Sequence, residues 1–285
     1  MSRNPELEAS QIAEQVLSLI HGHAHDNEVR SLQRQILDEG LEPADAIVRT
    51  LLSKSGIDLQ VRRALSNHLH LIHNARLLAI RQFLPAAETI LDLGGINAPL
   101  YHMGYAHSFK KLYMIDLPVE DRHEMYSEIT VDDASALGEV SVLFADMTKL
   151  DPFENESVDL VWSGQSIEHV PFESAKNMIK EAFRVLRPGG CFALDTPNGA
   201  ITSIHAQTSG LEVVHPEHFI EYTVDQMTEM LSAEGFDIES SFGTSHMPVT
   251  FRNRVFNYTD FVLGSQIHPN PEECYSQFHI CRKPK

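Results

Sequence analysis

At Thr89-Ile90-Leu91-Asp92-Leu93-Gly94-Gly95 the hydrophobic pattern of this chain changes period. Upstream, apolar residues recur at helical intervals; downstream, short apolar runs alternate with amphipathic segments. A run rich in β-branched and leucine residues, closed by two glycines, specifies a strand followed by a tight turn. Glycine accepts backbone angles that a Cβ forbids and lets a ligand lie against the main chain. The residues after Gly95 are expected to start a helix, giving the strand–turn–helix opening of nucleotide-binding α/β domains.

The downstream chain repeats that unit. Residues 111–116 (Lys-Leu-Tyr-Met-Ile-Asp), 140–145, 157–162, 191–195, 236–241 and 275–281 read as further strands. Between them, residues 172–186 carry Ala175, Met178, Ile179, Ala182, Phe183 and Leu186 on one face, and Pro188-Gly189-Gly190 stops the helix. Thr223 and Gln226 form a capping box for another helix that ends near Gly235. Alternation of this kind argues an α/β fold with a mostly parallel, Rossmann-like sheet. Right-handed crossovers then bring all strand carboxyl ends, with Asp92, Asp116 and Asp146, to one rim, where open sheets bind ligands.

Residues 1–88 read as a helical extension and 89–285 as the α/β domain, with an insertion at 244–272 that includes Phe251, Arg252, Arg254, Phe256 and Tyr258. The last helix before the sheet is expected from a cap at Asp58 to Phe83, with Leu65, Leu69, Ile72, Ile80 and Phe83 as its apolar stripe and Pro85 beyond its end. The N-terminal helices are expected to cover the pocket or to form a homodimer surface. The His-rich stretch 21–26 reads as a polar turn between helices.

The net charge of −18 is uneven, with 9 basic and 11 acidic residues up to residue 88 and 13 against 29 after it. An acidic surface repels phosphate backbones, so a nucleic-acid substrate is not expected. No run approaches the roughly 18 apolar residues of a membrane span, and no secretory signal is visible, so no membrane partner is expected. Cys191, Cys274 and Cys281 lack metal-site spacing and read as reduced thiols of a cytoplasmic protein.

With these residues in view, 89–282 resembles the class I S-adenosylmethionine-dependent methyltransferases, in particular the small-molecule type that includes quinone and glycan-linked enzymes. Ile-Leu-Asp-Leu-Gly-Gly (90–95) stands where that family has its glycine-rich first motif, and Asp116 follows Asp92 by 24 residues. Ser163-Gly-Gln165-Ser-Ile-Glu-His169-Val resembles the fourth-strand motif, and Arg-Val-Leu-Arg-Pro-Gly-Gly (184–190) the turn into the fifth strand. The resemblance implies a seven-stranded sheet whose last strand is antiparallel, and S-adenosyl-L-methionine as cofactor. It implies that Asp92, Gly94 and Gly95 form the cofactor turn and that Asp116 takes the ribose hydroxyls. Asp146 and Met147 would frame the adenine, and Ser163 and Gln165 would lie on the turn that completes the site. A nicotinamide-binding domain would need G-x-G-x-x-G directly after the first strand, which this chain lacks.

Methyl transfer to a hydroxyl needs alignment and a base within hydrogen-bond reach. Candidates are His169, at the end of the fourth-strand motif, and His215 and His218 in Val-His-Pro-Glu-His-Phe-Ile-Glu-Tyr (214–222). That segment could also bind a metal or orient a sugar-like substrate, or be a polar loop with Phe219 as the hydrophobic staple of the next helix. No metal site is expected, because no third ligand is identifiable. Arg76, on the helix before the first strand, could reach the cofactor's carboxylate through a bidentate pair. The chain thus reads as an O-methyltransferase of a small, polar, glycan-type acceptor. Alternatively, with Ile96 and Ala98 in place of two family glycines, it is a binding or regulatory protein that keeps the fold.

Overall fold

The structure is a computed structural model that describes residues 68–122 and 135–285; most of the expected N-terminal helices and the 21–26 stretch lie outside the described residues. Two compact units are distinguished, one comprising residues 72–256 and 265–285, the other 1–71 and 257–264. In the described part of the second unit, the His68 ring packs against the Tyr258 and Phe261 rings, each at 5.4 Å.

The larger unit is built on one sheet. Its strands are β1 (Thr89–Leu93), β2 (Lys111–Asp116), β3 (Glu139–Phe144), β4 (Val158–Gly164), β5 (Leu186–Pro197), β6 (Asp237–His246), β7 (Ile267–His268) and β8 (Cys274–Arg282). Their order is β3-β2-β1-β4-β5-β8-β6-β7. The first five run parallel, and β8 lies antiparallel between β5 and β6. Eight strands stand where seven are expected, because the insertion contributes the two-residue β7, antiparallel to β6 at the sheet edge. Among the described residues the helices are α1 (His68–Phe83), α2 (Phe172–Val185), α3 (Gly199–Ser209), α4 (Val224–Ala233), α5 (Pro248–Asn253) and α6 (Asp260–Leu263), the last belonging to the smaller unit.

Strand alternation divides the core between two faces. Ile90, Leu112, Met114, Leu160, Trp162 and Ala193 face one layer; Leu91, Leu93, Ile115, Val161, Phe192 and Leu194 face the other. The second layer is closed by α2 and α4, through Met178, Ile179, Met227 and Leu231. Each fully buried side chain of this size contributes about 1.5–3 kcal/mol. The first layer is closed by Ala79 and Ile80 of α1 and by Leu100, Tyr101, Met103, Tyr105 and Phe109. Leu69, expected in the stripe of α1, is exposed; the buried face is Ile72, Ala75, Arg76, Ala79 and Ile80.

The helix expected after Gly95 is not formed. A single 3-10 turn, Gly95–Asn97, leads into turns that run to β2. Proline disfavours a helical residue before it, and Ala98, ahead of Pro99, takes φ −145°. The apolar residues of 100–109 fill the layer directly.

α3 was not anticipated, although Asn198 caps it with its side chain on the Ala200 N–H at 3.1 Å. The Thr223–Gln226 capping box is present in both directions. Its hydrophobic staple is not Phe219, which is exposed, but Tyr222 at the position before the cap and Met227 at the fourth helical position, both buried.

His279 of β8 is fully buried, with Nε2 2.9 Å from Gln277 Oε1 and Nδ1 3.1 Å from Ser241 Oγ. Burial lowers its pKa to about 4. The unfolded chain therefore takes up a proton near pH 6.5 that the folded chain refuses until about pH 4. Its contribution is fully present above pH 6.5 and is lost as pH falls toward 4. Against a His279→Gln variant, the native chain should lose up to about 3 kcal/mol of relative stability between pH 7 and pH 4. Urea midpoints of both proteins across that range measure this; parallel curves would contradict it.

Candidate functional site

The strand order reverses beside β1, which has β2 on one side and β4 on the other. At that switch point the carboxyl ends of β1, β2, β4 and β5 converge. Both glycines of the first turn are required there. Gly94 sits at φ +74°, and a Cβ on it would come within 2.9 Å of Ser166 Cβ. A Cβ on Gly95 would overlap the Asp92 carboxyl group. Asp92 is buried and accepts the Leu100 N–H at 2.7 Å, so it ties the turn to the segment that follows. Burial raises its pKa to about 7; the Leu100 bond opposes that shift, Asp116 adds to it and Arg76 opposes it.

Asp116, at the end of β2, shares the sheet face of Asp92. Its Oδ2 accepts the Ile96 N–H and Arg122 Nη2, both at 3.3 Å, and Oδ1 accepts the Leu117 N–H at 2.9 Å. Burial raises its pKa, against the Arg122 charge. A carboxylate offers about four acceptor directions, so three donors leave capacity for a ligand hydroxyl. Asp146 is exposed and accepts the Thr148 N–H and hydroxyl at 2.8 and 2.7 Å; Met147 beside it is half-buried. A glycine turn that brings bare main chain to the switch point, with a carboxylate at the neighbouring strand end, suits a ribose-bearing cofactor. Ile96 is buried.

Arg76 departs from expectation. Its Nε and Nη2 donate to Asp195 Oδ2 and Oδ1 at 2.5 and 3.1 Å, so a protein carboxylate takes the fork. The expected pairing with a cofactor carboxylate is not what this geometry provides: Asp195 ends up opposite Arg76 because β5 lies two strands from β1 on the same face. Asp195 also accepts Gln165 Nε2 at 2.9 Å, and Gln165 holds φ +55°, an uncommon conformation for a side-chain-bearing residue that is fixed here by its neighbours. Ser163 Oγ lies 2.7 Å from Ser166 Oγ.

The three candidate histidines come together. The ring of His169 lies 4.9 Å from that of His218 and 5.7 Å from that of His215, and the latter two are 4.9 Å apart. The loop is attached to the fourth-strand turn by the Phe219 N–H on Glu168 O at 2.9 Å. His218 Nδ1 is 2.7 Å from Glu221 Oε1. Burial alone would raise Glu221, but hydrogen bonds from His218 and Thr202 outweigh it and hold the carboxyl below its usual range. The network therefore assigns Nδ1–H to His218 and leaves its lone pair on Nε2. His215 is the opposite tautomer, since its Nδ1 accepts the Glu217 N–H at 3.2 Å. His169, lowered to about 4 by burial and then by the two other histidines, is neutral at pH 7.

Glu168 was read only as part of a motif. It is fully buried, its Oε2 accepts the Thr196 hydroxyl at 2.9 Å, and burial pushes its pKa to about 7. It supplies the third ligand-capable group that the sequence did not reveal: atoms of Glu168, His169 and His218 all lie within 4.8 Å of one another. Asp195 and Arg122 were also missed, and Glu221 was read only as one of the loop's two glutamates. Asp195 lies near the carboxyl end of its strand as Asp92 and Asp116 do, and that shared position was the available signal.

The family profile described as methyltransferase domain matches residues 91–194, from β1 to β5. A probable S-adenosylmethionine-dependent methyltransferase of Mycolicibacterium smegmatis is 35% identical over 122 residues, 42% of this chain and 45% of that protein. The 27-O-demethylrifamycin SV methyltransferase of Amycolatopsis mediterranei is 32% identical over 114 residues, 39% of each chain. The sarcosine/dimethylglycine N-methyltransferase of Aphanothece halophytica is 30% identical over 115 residues, 40% of this chain and 39% of that protein. The matched segment thus spans less than half the length of these relatives. Among solved structures, a methyltransferase of Thermotoga maritima superposes with a TM-score of 0.53 at 14% identity, covering 80% of this chain and 96% of that one. The partner of a Haloferax volcanii methyltransferase activator gives 0.52 at 16%, with the same coverage. Both carry the same fold. Motif order, strand order, switch-point geometry and these matches agree: residues 91–194 match a methyltransferase domain, and the fold is that of the class I S-adenosylmethionine-dependent methyltransferases.

Proposed function

We propose that this chain transfers a methyl group from S-adenosylmethionine to a hydroxyl of a small polar, glycan-like acceptor. One observation carries the proposal: the 163–169 turn packs Ser166 against Gly94 at one end and holds Glu168 and His169 in the histidine cluster at the other. Cofactor turn and candidate acceptor site are therefore a few residues apart on one rigid segment. The cofactor supplies an electrophilic methyl on a sulfonium. Asp116 would bind the ribose hydroxyls, the Gly94–Gly95 turn would let the main chain approach, and Asp146 and Met147 would border the adenine. Arg76, held by Asp195, acts as a positioning residue for the Gln165 turn. His218, oriented by Glu221, presents Nε2 to receive the acceptor's proton, and His215 presents an N–H to the acceptor oxygen. The named relatives include one whose product is an O-methyl and one whose product is an N-methyl compound. The polar His/Glu cluster favours oxygen here.

Calorimetry should give micromolar S-adenosylmethionine binding, weakened about 100-fold in Asp116→Ala through loss of charge-assisted hydrogen bonds. No binding at millimolar cofactor would sink the proposal and leave a fold-retaining binding protein. A screen for S-adenosylhomocysteine release should respond to hydroxylated acceptors, with turnover lowered about 100-fold or more in His218→Ala. Release with amines alone would refute the choice of oxygen.

A further inference from the structure

We propose that Glu168, His169 and His218 form a binding site for a first-row divalent transition ion such as Mn2+ or Zn2+, with coordination positions left open for acceptor oxygens. The proposal rests on the placement of the acceptor site above.

Four observations carry it. The ligand-capable atoms lie within 4.8 Å of one another. Two ligands on one ion with bonds of about 2.1 Å are roughly 3.0–4.2 Å apart, so side-chain adjustments of about 1 Å close the site. Glu168 Oε1 is buried without a hydrogen-bond partner, while Oε2 is fixed by Thr196. A buried carboxylate oxygen without a partner is costly, and a bound cation satisfies it. The tautomers also fit. His218 is bound through Nδ1 to Glu221, as ligating histidines are usually bound to a carboxylate, which leaves Nε2 as its ligand atom. The ring of His169 is likewise hydrogen-bonded to the Glu217 main chain, as a ligating histidine's second nitrogen usually is. His215, whose Nδ1 accepts the Glu217 N–H, carries its own proton on Nε2 and suits an acceptor oxygen better than a metal.

Two imidazoles and one carboxylate choose the ion class. Mg2+ and Ca2+ prefer all-oxygen sets, and soft Cu+ prefers sulfur. Three protein ligands with open positions is the pattern of reactive rather than structural sites. An ion there would hold an acceptor hydroxyl and lower its pKa, performing the task otherwise given to His218 as base.

The test is a titration of the chelator-treated full chain with MnCl2 or ZnCl2, without S-adenosylmethionine, and a Co2+ titration read by its visible d–d bands. One equivalent should bind. Affinity should fall roughly 100-fold in Glu168→Gln and in His169→Gln/His218→Gln, and about 10–100-fold in Glu221→Gln, which removes only the negative charge of the outer partner. Two other histidine groups serve as controls. Binding should survive in a triple alanine variant of His21, His23 and His25, and in His268→Ala, which breaks the His246–His268 stack beside Glu273. Glu221→Gln keeps shape and hydrogen bonding and so remains informative if a ligand variant does not fold. Absence of binding, binding indifferent to the Glu168, His169, His218 and Glu221 changes, or loss only in the control variants would overturn the proposal. Any of these leaves cofactor binding and its dependence on Asp116 untouched, so the two readings fail separately.

Discussion

Alanine at position 195 should lower the unfolding free energy by about 3–5 kcal/mol, because it strands the Arg76 guanidinium in a buried site. Asp195 is fully buried and Arg76 nearly so, and the pair is bidentate with Gln165 as a further donor to the same carboxylate. The attraction between two desolvated charges need not exceed their desolvation cost, but removing one partner leaves the other uncompensated. Hence Arg76→Met combined with Asp195→Leu should recover most of the loss, since two apolar groups of similar volume leave no buried charge. Urea unfolding followed by tryptophan fluorescence is a direct readout, because the single Trp162 lies in the core of β4 against Phe278. A loss below about 1 kcal/mol for Asp195→Ala, or a double variant no better than the single, would show that the pair is not the anchor inferred here.

Gly95→Ala should cost about 3 kcal/mol or more and abolish S-adenosylmethionine binding. The added Cβ occupies the space of the Asp92 carboxyl group, which cannot retreat without breaking its bond to Leu100 in a fully buried layer. The main chain at 94–97 must move instead, and with it the Ile96 N–H that reaches Asp116. Gly210→Ala is the comparison: no atom lies within 4 Å of a Cβ there, although φ is +68° and some backbone strain remains. It should leave cofactor binding unchanged. Binding retained by Gly95→Ala would mean that the turn tolerates displacement.

Much of the frame was readable because it depends on local periodicity. Strands β1 and β2 lie where their apolar runs end, α2 covers the face its spacing marks, and the capping box opens α4. The crossover after β1 was not, because Pro99 and a run of large apolar residues replace a helix with directly packed side chains. The two-residue β7 carries too short a pattern to register.

The site divides in the same way. Asp92, Asp116 and the glycine pair are local features, each at a strand end, and the chain's order of strands and helices was enough to put them on one rim. His169 and the 214–222 loop were visible as residues of the right chemistry, but Glu168 beside His218, and Asp195 beneath Arg76, join positions 50 and 119 residues apart in sequence. Such pairs are decided by which strands lie adjacent and by the face each side chain takes. Burial then determines their charge state, which removes Arg76 from solvent, keeps His169 neutral and leaves one oxygen of Glu168 without a partner. The sequence by itself determined the α/β frame, the methyltransferase resemblance of residues 89–282, the glycine turn and the acid at the second strand. Only the tertiary structure decided which carboxylate answers which cation, because desolvation and non-local contact are properties of the packed interior and have no counterpart in local pattern.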